Sequence, residues 1–239
     1  MNKNIFKQQH KRNQIEEGLY KYFMAREEFG SKVNTVGNPS DKFLSHFKRL
    51  LNLDRKEHRE KGKYIFFEDE GQGAGKETKF SDFHVFLMGL ALDFIHMGFV
   101  QKEVLFVLFH TKNTLKQVFG EINGNKNRIA PFWNNDQTIG EIDGIPKDLN
   151  SNADFTVYLT IRRFEYYDWV ISNKTVNKDD IKFVNPTIFW GVKELSKELQ
   201  QSGNLMPSFS IFELANLALV APKITQEIEP QKRGRYASR

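Results

Sequence analysis

Four polar residues of one predicted helix have the types and the spacing that suit contact with a nucleic acid. They are Lys42, Ser45, Lys48 and Arg49. Positions three and four apart share one face of a helix, so these side chains would form a single polar stripe. An Arg on such a stripe can read guanine with two hydrogen bonds, whereas Lys mainly anchors phosphate. The pattern therefore predicts a helix that contacts DNA, with an ordinary surface helix as the alternative.

The helix that carries this stripe is predicted over Lys42–Leu53. Pro39 ends a polar connector, and Ser40 and Asp41 after it are good N-cap residues. The opposite face is apolar at helical spacing, with Phe43, Leu44, Phe47, Leu50 and Leu51. A DNA-reading helix needs this division, because one face packs on its own domain while the other enters the groove.

The positive charge of the chain is concentrated near its beginning. The whole sequence has 35 Lys and Arg against 30 Asp and Glu, a formal net charge of +5. Residues 1–63 carry 15 of these basic residues and 8 of the acidic ones. A local surplus favours a polyanionic partner, and the alternative is a solvated basic surface. A second basic patch, Lys232 to Arg239, is predicted to be a tail over 231–239.

Composition excludes several classes of protein. There is no Cys, which excludes disulfides, thiolate metal sites and cysteine catalysis. No apolar run reaches the ~20 residues of a membrane span, and the first 14 residues contain no apolar core of a secretory signal. We therefore expect a soluble, cytoplasmic protein with no membrane contact.

No motif predicts a cofactor, a metal or a catalytic centre. The run GQGAGKE over 71–77 lacks the spacing and the Ser or Thr of a phosphate-binding loop. Asp93 and His96, with His110 further on, lack a third metal ligand at diagnostic spacing. We expect these three to be buried polar groups that are satisfied across a helix interface. The expectation is that the protein is not an enzyme.

The first half of the chain is predicted to form helices before and after a β-hairpin. Helices are predicted over 14–29, 82–97 and 101–119, with Gly98 breaking the chain between the last two. The run KYIFF over 63–67 predicts a strand, the glycines of 71–75 a turn, and 78–80 a returning strand. The helix over 82–97 is apolar nearly all round and must be buried against several neighbours or in a dimer interface.

The stretch FSDFHVFLMGLALDFIHMGFVQKEVLFVL, residues 80–108, resembles the segment after the wing in MerR-type winged helix-turn-helix regulators. Phe80 matches the aromatic at the wing exit and Val85 the first buried helix position. Gly98-Phe99 match the turn between the helices, and Glu103-Val104 the start of the second helix. The resemblance covers about 63–108, and it implies that the hairpin is a wing and the basic helix the recognition helix.

A wing of that family lies along the DNA backbone or in the minor groove. The resemblance therefore implies that the lysines flanking the hairpin, Lys63, Lys76 and Lys79, neutralise phosphates. A MerR-like winged-helix module is expected over 12–120.

The second half predicts a small antiparallel sheet with helices. Strands are expected over 154–162, 165–172 and 181–190, and the first alternates cleanly between apolar and polar residues, as a half-buried strand does. A helix over 191–201 would use Val192, Leu195 and Leu199, and a final helix would start at the capping box Ser210-x-x-Glu213 and be kinked by Pro222. This α+β domain of unknown role is expected over 150–230. The predicted fold class is α+β.

Three functional hypotheses follow. The first is a bacterial, phage or plasmid transcriptional regulator that binds double-stranded DNA. It would be a homodimer paired through the apolar helix over 101–119 or through the last helix. The alternative is a winged-helix protein that acts in protein–protein assembly without reading DNA. A third is an enzyme that uses the carboxylates of Glu165 and Asp168.

Overall fold

A computed structural model of the chain describes residues 9–27, 37–58, 63–68, 78–124, 156–162, 186–201 and 209–230. In chain order these ranges contain α1 Arg12–Glu27, α2 Asp41–His58, α3 Asp82–His96, α4 Gln101–Gly124, β1 Val157–Arg162, β2 Thr187–Trp190, α5 Val192–Gln201, β3 Phe209–Glu213 and α6 Ala215–Glu227. The class is α+β, as the sequence predicts. None of these helices is both long enough and apolar enough to cross a bilayer.

α3 occupies the centre of the helices because apolar side chains cover nearly its whole circumference. It packs against α1, α4 and α6, and every residue from Phe83 to Phe94 is buried. Gly98 adopts a φ of 85°, a left-handed conformation that favours glycine, and ends the run. The Phe99 N–H then donates to the Phe94 carbonyl at 3.0 Å. The predicted helix–Gly–helix order is confirmed.

The last helix packs against the first. α6 lies on both α1 and α3, and Gly18 of α1 faces Thr225 of α6 in close contact. Leu19 of α1, Leu217 of α6 and Phe212 of β3 belong to one buried cluster. The two units expected over 12–120 and 150–230 thus share a core, and their limits stay a prediction.

The apolar faces of α4 and α6 are covered within one chain. Leu108 and Phe119 of α4, and Leu217 and Ala221 of α6, are fully buried. Their apolar character therefore does not by itself require a partner copy. The homodimer stays a prediction.

The three strands form an antiparallel sheet in the order β2-β1-β3. Leu159 of β1 lies opposite Ile188 of β2 and Phe212 of β3, so the three side chains share one face. The Phe212 ring is 4.5 Å from the Phe94 ring, edge to face. This aromatic contact fixes the sheet against the end of α3.

The sequence located two of these strands and missed the third. The strands expected over 154–162 and 181–190 are confirmed in their described parts, and 165–172 lies outside the described residues. β1 is not half-buried as expected, since Thr160 on its polar face is buried as well.

The capping box expected at the last helix is wrong. Ser210 belongs to β3 and pairs with Ile161 of β1. The helix begins five residues later, and the Glu213 carboxylate accepts the Ala215 N–H at 2.7 Å from just outside it. α6 continues through Pro222 to Glu227. The inward position expected for Val192 in α5 is also wrong, because that side chain is half exposed.

Candidate nucleic-acid interface

The exposed face of α2 carries more positive charge than the sequence analysis assigned to it. The four predicted contact residues of this helix, Lys42, Ser45, Lys48 and Arg49, are all exposed. The helix continues five residues beyond Leu53, and this adds two exposed cations to the same side. The cations of this surface, called the basic face below, are Lys42, Lys48, Arg49, Arg55 and Lys56.

Arg55 and Lys56 were missed because the run that begins at Asp54 looked too charged to continue an amphipathic helix. Asp54 and His58 in fact extend the inward face of α2, at the spacing set by Phe47, Leu50 and Leu51. Both polar side chains are buried. Continuing the helical period past the first charged residue would have found the two extra cations.

Acidic residues do little to neutralise the basic face. Glu57 lies on the flank of α2 and pairs with Lys102 of α4 at 3.6 Å. Asp41 is in the first turn, where a carboxylate complements the helix dipole. Among the described residues, no ion pair engages Lys48 or Arg49. The face therefore presents its charge to solvent.

A buried carboxylate anchors the inward side of α2. Asp54 is fully buried and accepts the Ile65 N–H at 3.1 Å and the Phe66 N–H at 2.9 Å. It also lies 2.8 Å from His58 Nδ1. The imidazole of His58 in turn stacks on the Phe109 ring of α4 at 4.5 Å. These contacts hold the second half of α2 in one orientation on the core.

A second contact ties segment 63–68 to α4. The Lys112 ammonium donates to the Tyr64 carbonyl at 2.6 Å. Burial lowers the pKa of Lys112, and the Asp54 carboxylate opposes part of that shift. Segment 63–68 is thus fastened to α2 by a carboxylate and to α4 by an ammonium.

The strand predicted over 63–67 is wrong. Residues 63–68 have no strand structure, because the Ile65 and Phe66 N–H groups donate to Asp54 instead of to a neighbouring strand. The pairing expected with 78–80 is wrong as well. Phe80 exchanges both of its backbone hydrogen bonds with His10, at 2.7 and 3.0 Å. The described arms of the expected wing therefore do not form a hairpin with each other.

Two of the three predicted wing lysines lie in the described ranges. Lys63 and Lys79 are both exposed, and Lys76 lies outside the described residues. Two phenylalanine rings link the chain near these lysines to α2. The Arg55 guanidinium lies 4.5 Å from the Phe67 ring, and the Phe67 and Phe80 rings are 5.7 Å apart. The chain beside both lysines thus packs near the end of the basic face.

α1 and α2 are not joined as a compact helix-turn-helix. Such a motif uses a turn of three or four residues. Here residues 28–40 separate the two helices. The basic face of α2 therefore rests on its own anchoring contacts, and a tight turn from α1 does not position it.

A partly buried polar cluster joins α1, α3 and β3. Arg26 donates twice to Asp93, at 2.6 and 3.1 Å. Burial opposes the charge of Arg26, but the hydrogen bonds and charge of Asp93 outweigh it and raise the guanidinium pKa. Burial also raises the pKa of Tyr22, and it raises the pKa of Glu213 to about 7. The cluster cross-links elements of the core.

Asp93 was expected to be a buried polar group that is satisfied across a helix interface. Its pair with Arg26 of α1 confirms this. The same expectation is wrong for His96 and His110, which are exposed. No group of three or more potential metal ligands occurs within the described ranges.

Comparisons with family models, with curated proteins and with solved structures found no match to this chain. The MerR-like resemblance therefore stays an expectation from the sequence.

Proposed function

We propose that this protein binds double-stranded DNA through the basic face of α2 and acts as a transcriptional regulator. One observation carries the proposal. Five cations lie on one exposed side of a helix whose other side is buried. Such a face is the electrostatic footprint of a nucleic-acid partner.

The dimensions of α2 suit the major groove. From Lys42 to Lys56 the helix axis covers about 21 Å at its ordinary rise per residue. The groove admits one helix, with base edges at its floor and phosphates at both rims. Lys48 and Arg49 are near the middle of the helix and would face the bases. Lys42, Arg55 and Lys56 are towards its ends and would meet phosphates.

The anchoring of α2 also supports the proposal. A recognition surface binds best when its side chains need little reordering, because ordering costs affinity. Asp54 and His58 hold the half of α2 that carries Arg55 and Lys56. The exposed cations therefore project from a helix whose orientation is fixed before DNA binds.

The test is a titration of the full chain with random-sequence duplex at several salt concentrations. Random-sequence duplex offers no preferred base contacts, so all five cations should lie at phosphates. The logarithm of the affinity should then fall with the logarithm of the salt concentration at a slope of about −4.5. Lys48→Ala with Arg49→Ala should lower affinity about tenfold or more and reduce the slope by about two.

A matched control removes two charges elsewhere. Lys197 of α5 and Lys223 of α6 are exposed and lie off the basic face. Lys197→Ala with Lys223→Ala should leave the slope unchanged. Equal losses in the two double variants would mean that net charge alone drives binding, and this would contradict the proposed face.

Protein–protein assembly is the second candidate, and exposed apolar residues favour it. Met97 and Val100, at the turn between α3 and α4, are 52% and 63% exposed. Exposed apolar side chains at one turn suit contact with another protein. If the protein shows no duplex binding at salt of about 100 mM or below, the DNA proposal is wrong and this candidate replaces it.

A further inference from the structure

A groove opens beside the first turns of α2. It has a volume of about 380 Å³ and lies between the second half of α1, the start of α2 and the end of α3. This size is within the range of small-molecule sites, which is roughly 300 to 1,000 Å³. The basic face begins at the same place, because Lys42 belongs to both.

The groove has aromatic walls that are held without a ligand. The Tyr20 ring meets the Phe43 ring edge to face at 5.3 Å, and Phe43 stacks on Phe47 at 6.4 Å. The Phe23 ring, also in the groove lining, is covered by the Arg26 guanidinium at 4.8 Å. A flat apolar ligand could bind between these rings with little rearrangement of the side chains, so little binding free energy would be lost.

Apart from the hydroxyl groups of Tyr20 and Ser40, the polar side chains of the groove are cations or potential cations. Lys42, His46 and His96 line it, and no carboxylate is among its described lining residues. Asp93 is one turn before His96, but both of its oxygens accept hydrogen bonds from Arg26. The charge that a ligand meets in this groove is therefore positive.

We propose that this groove binds a small organic anion with a flat apolar body. The body lies between the rings of Phe23 and Phe43, and the carboxylate faces Lys42, His46 and His96. A carboxylate accepts hydrogen bonds from ammonium and imidazole donors, and these bonds are stronger when the donor is charged.

Occupancy of the groove also affects DNA binding, and this step rests on the proposed function. An anion that engages Lys42 removes one cation from the basic face. By linkage, the ligand and the duplex then weaken each other's binding by the same factor. The salt slope of DNA binding should fall by about one when the ligand is bound.

The first experiment uses no DNA. The full chain is titrated calorimetrically with 1-naphthoate and, separately, with the neutral 1-naphthalenemethanol. Naphthoate should bind about tenfold more tightly, and Lys42→Gln should remove that advantage while leaving the neutral probe unchanged. Lys56→Gln is the matched control, because it removes the same charge from the same helix outside the groove.

Three results would overturn the ligand site. They are equal affinity for the two probes, an equal effect of Lys42→Gln and Lys56→Gln, or no naphthoate binding at millimolar concentration. A second variant, Leu92→Trp, puts a larger side chain into the groove lining and should abolish binding of both probes. Unchanged probe binding in this variant would likewise contradict the site.

The second experiment repeats the duplex titration with saturating naphthoate. A weaker, less salt-dependent affinity supports the coupling, and an unchanged affinity contradicts it. Failure of the protein to bind any duplex would overturn the proposed function and the coupling, whereas the calorimetric result would still decide the ligand site. The two failures are therefore distinguishable.

Discussion

Asp54 of α2 accepts a hydrogen bond from the Phe66 N–H at 2.9 Å, although twelve residues separate the two along the chain. Its carboxylate also accepts the Ile65 N–H and lies close to the His58 imidazole. A buried carboxylate is stable where donors surround it, and costly where they are removed. One side chain therefore fixes both the orientation of α2 and the path of residues 63–68.

Asp54→Ala should lower the free energy of unfolding by about 3 kcal/mol or more, because two buried N–H groups lose their acceptor. Urea denaturation followed by far-UV circular dichroism measures the change. Asp41→Ala is the control, since it removes the same charge from an exposed site on the same helix. It should cost no more than about 1 kcal/mol through the helix dipole. Equal losses in both variants would contradict the role of the hydrogen bonds.

The start of α2 could be predicted from the sequence because the residues that determine it are neighbours in the chain. Ser40 caps the helix as expected, with its Oγ accepting the Phe43 N–H at 3.3 Å. The apolar and basic faces follow the helical period, and that period alone located Lys48 and Arg49. The candidate site was therefore largely visible in spacing and charge.

The end of α2 and the segment after it could not be predicted in this way. The partners of Asp54 are eleven and twelve residues away, in a segment without regular structure. The run KYIFF resembles a strand because four of its five residues are aromatic or β-branched, and these four are buried. Its Ile65 and Phe66 N–H groups nevertheless pair with a side chain. The partner of these backbone donors is a tertiary feature that no local pattern contains.

Ser210 is a second case in which a tertiary contact overrides a local pattern. The spacing Ser210-x-x-Glu213 fits a capping box, but pairing with β1 draws both residues into a strand. Glu213 still caps the helix, through the Ala215 and Asn216 N–H groups. The chemistry of the acidic residue was recognisable from the sequence, and its position relative to the helix start was not.

His84 should make the protein less stable in acid. Burial lowers its pKa to about 3, and the charges of Lys112 and Lys116 add to this shift. Its Nδ1 accepts the Ser81 N–H at 3.1 Å, so the folded state holds a neutral ring. Below about pH 6.5 the unfolded chain binds a proton that the folded chain does not, so stability falls as the pH falls towards about 3.

His84→Gln should remove about 2 kcal/mol of the stability loss between about pH 7 and pH 5. Gln keeps the cap, because it is a standard partner at this third helical position. Urea denaturation of both proteins at the two pH values measures the difference. An unchanged pH dependence in the variant would mean that His84 is protonated in the folded state.

Glu213 should make the protein less stable as the pH rises, which is opposite to the effect of His84. Burial raises its pKa to about 7, although the Asn216 and Ala215 N–H groups oppose the shift, and the charge of Asp93 adds to it. Between about pH 4.5 and pH 7 the folded state retains a proton that the unfolded chain releases, so stability falls as the pH rises. Glu213→Gln should remove this fall, which amounts to a few kcal/mol at most.

The two groups oppose each other between about pH 4.5 and pH 6.5. The wild-type protein should therefore show little pH dependence from this pair in that window. Glu213→Gln should expose the loss towards acid that His84 causes, and His84→Gln the loss towards neutral pH that Glu213 causes. Parallel pH profiles of the two variants would contradict both assignments.

The contact between α1 and α6 leaves no room for a side chain at Gly18. A methyl group there would lie 2.7 Å from the Thr225 Cα and closer still to its hydroxyl oxygen, so the two helices would have to separate. Gly18→Ala should destabilise the fold by about 2 kcal/mol or more, in spite of the better helix propensity of Ala.

Gly89 of α3 provides a matched comparison for Gly18. A methyl group there would meet the tip of the Leu217 side chain at 2.5 Å, and no backbone atom is among its nearest contacts. A side-chain tip can rotate away, and Ala gains about 1 kcal/mol of helix propensity over Gly. Gly89→Ala should therefore change the free energy of unfolding by less than about 1 kcal/mol. Denaturation of the two variants side by side measures both values, and a cost at Gly89 equal to that at Gly18 would mean that the α1–α6 backbone approach is not the limiting contact.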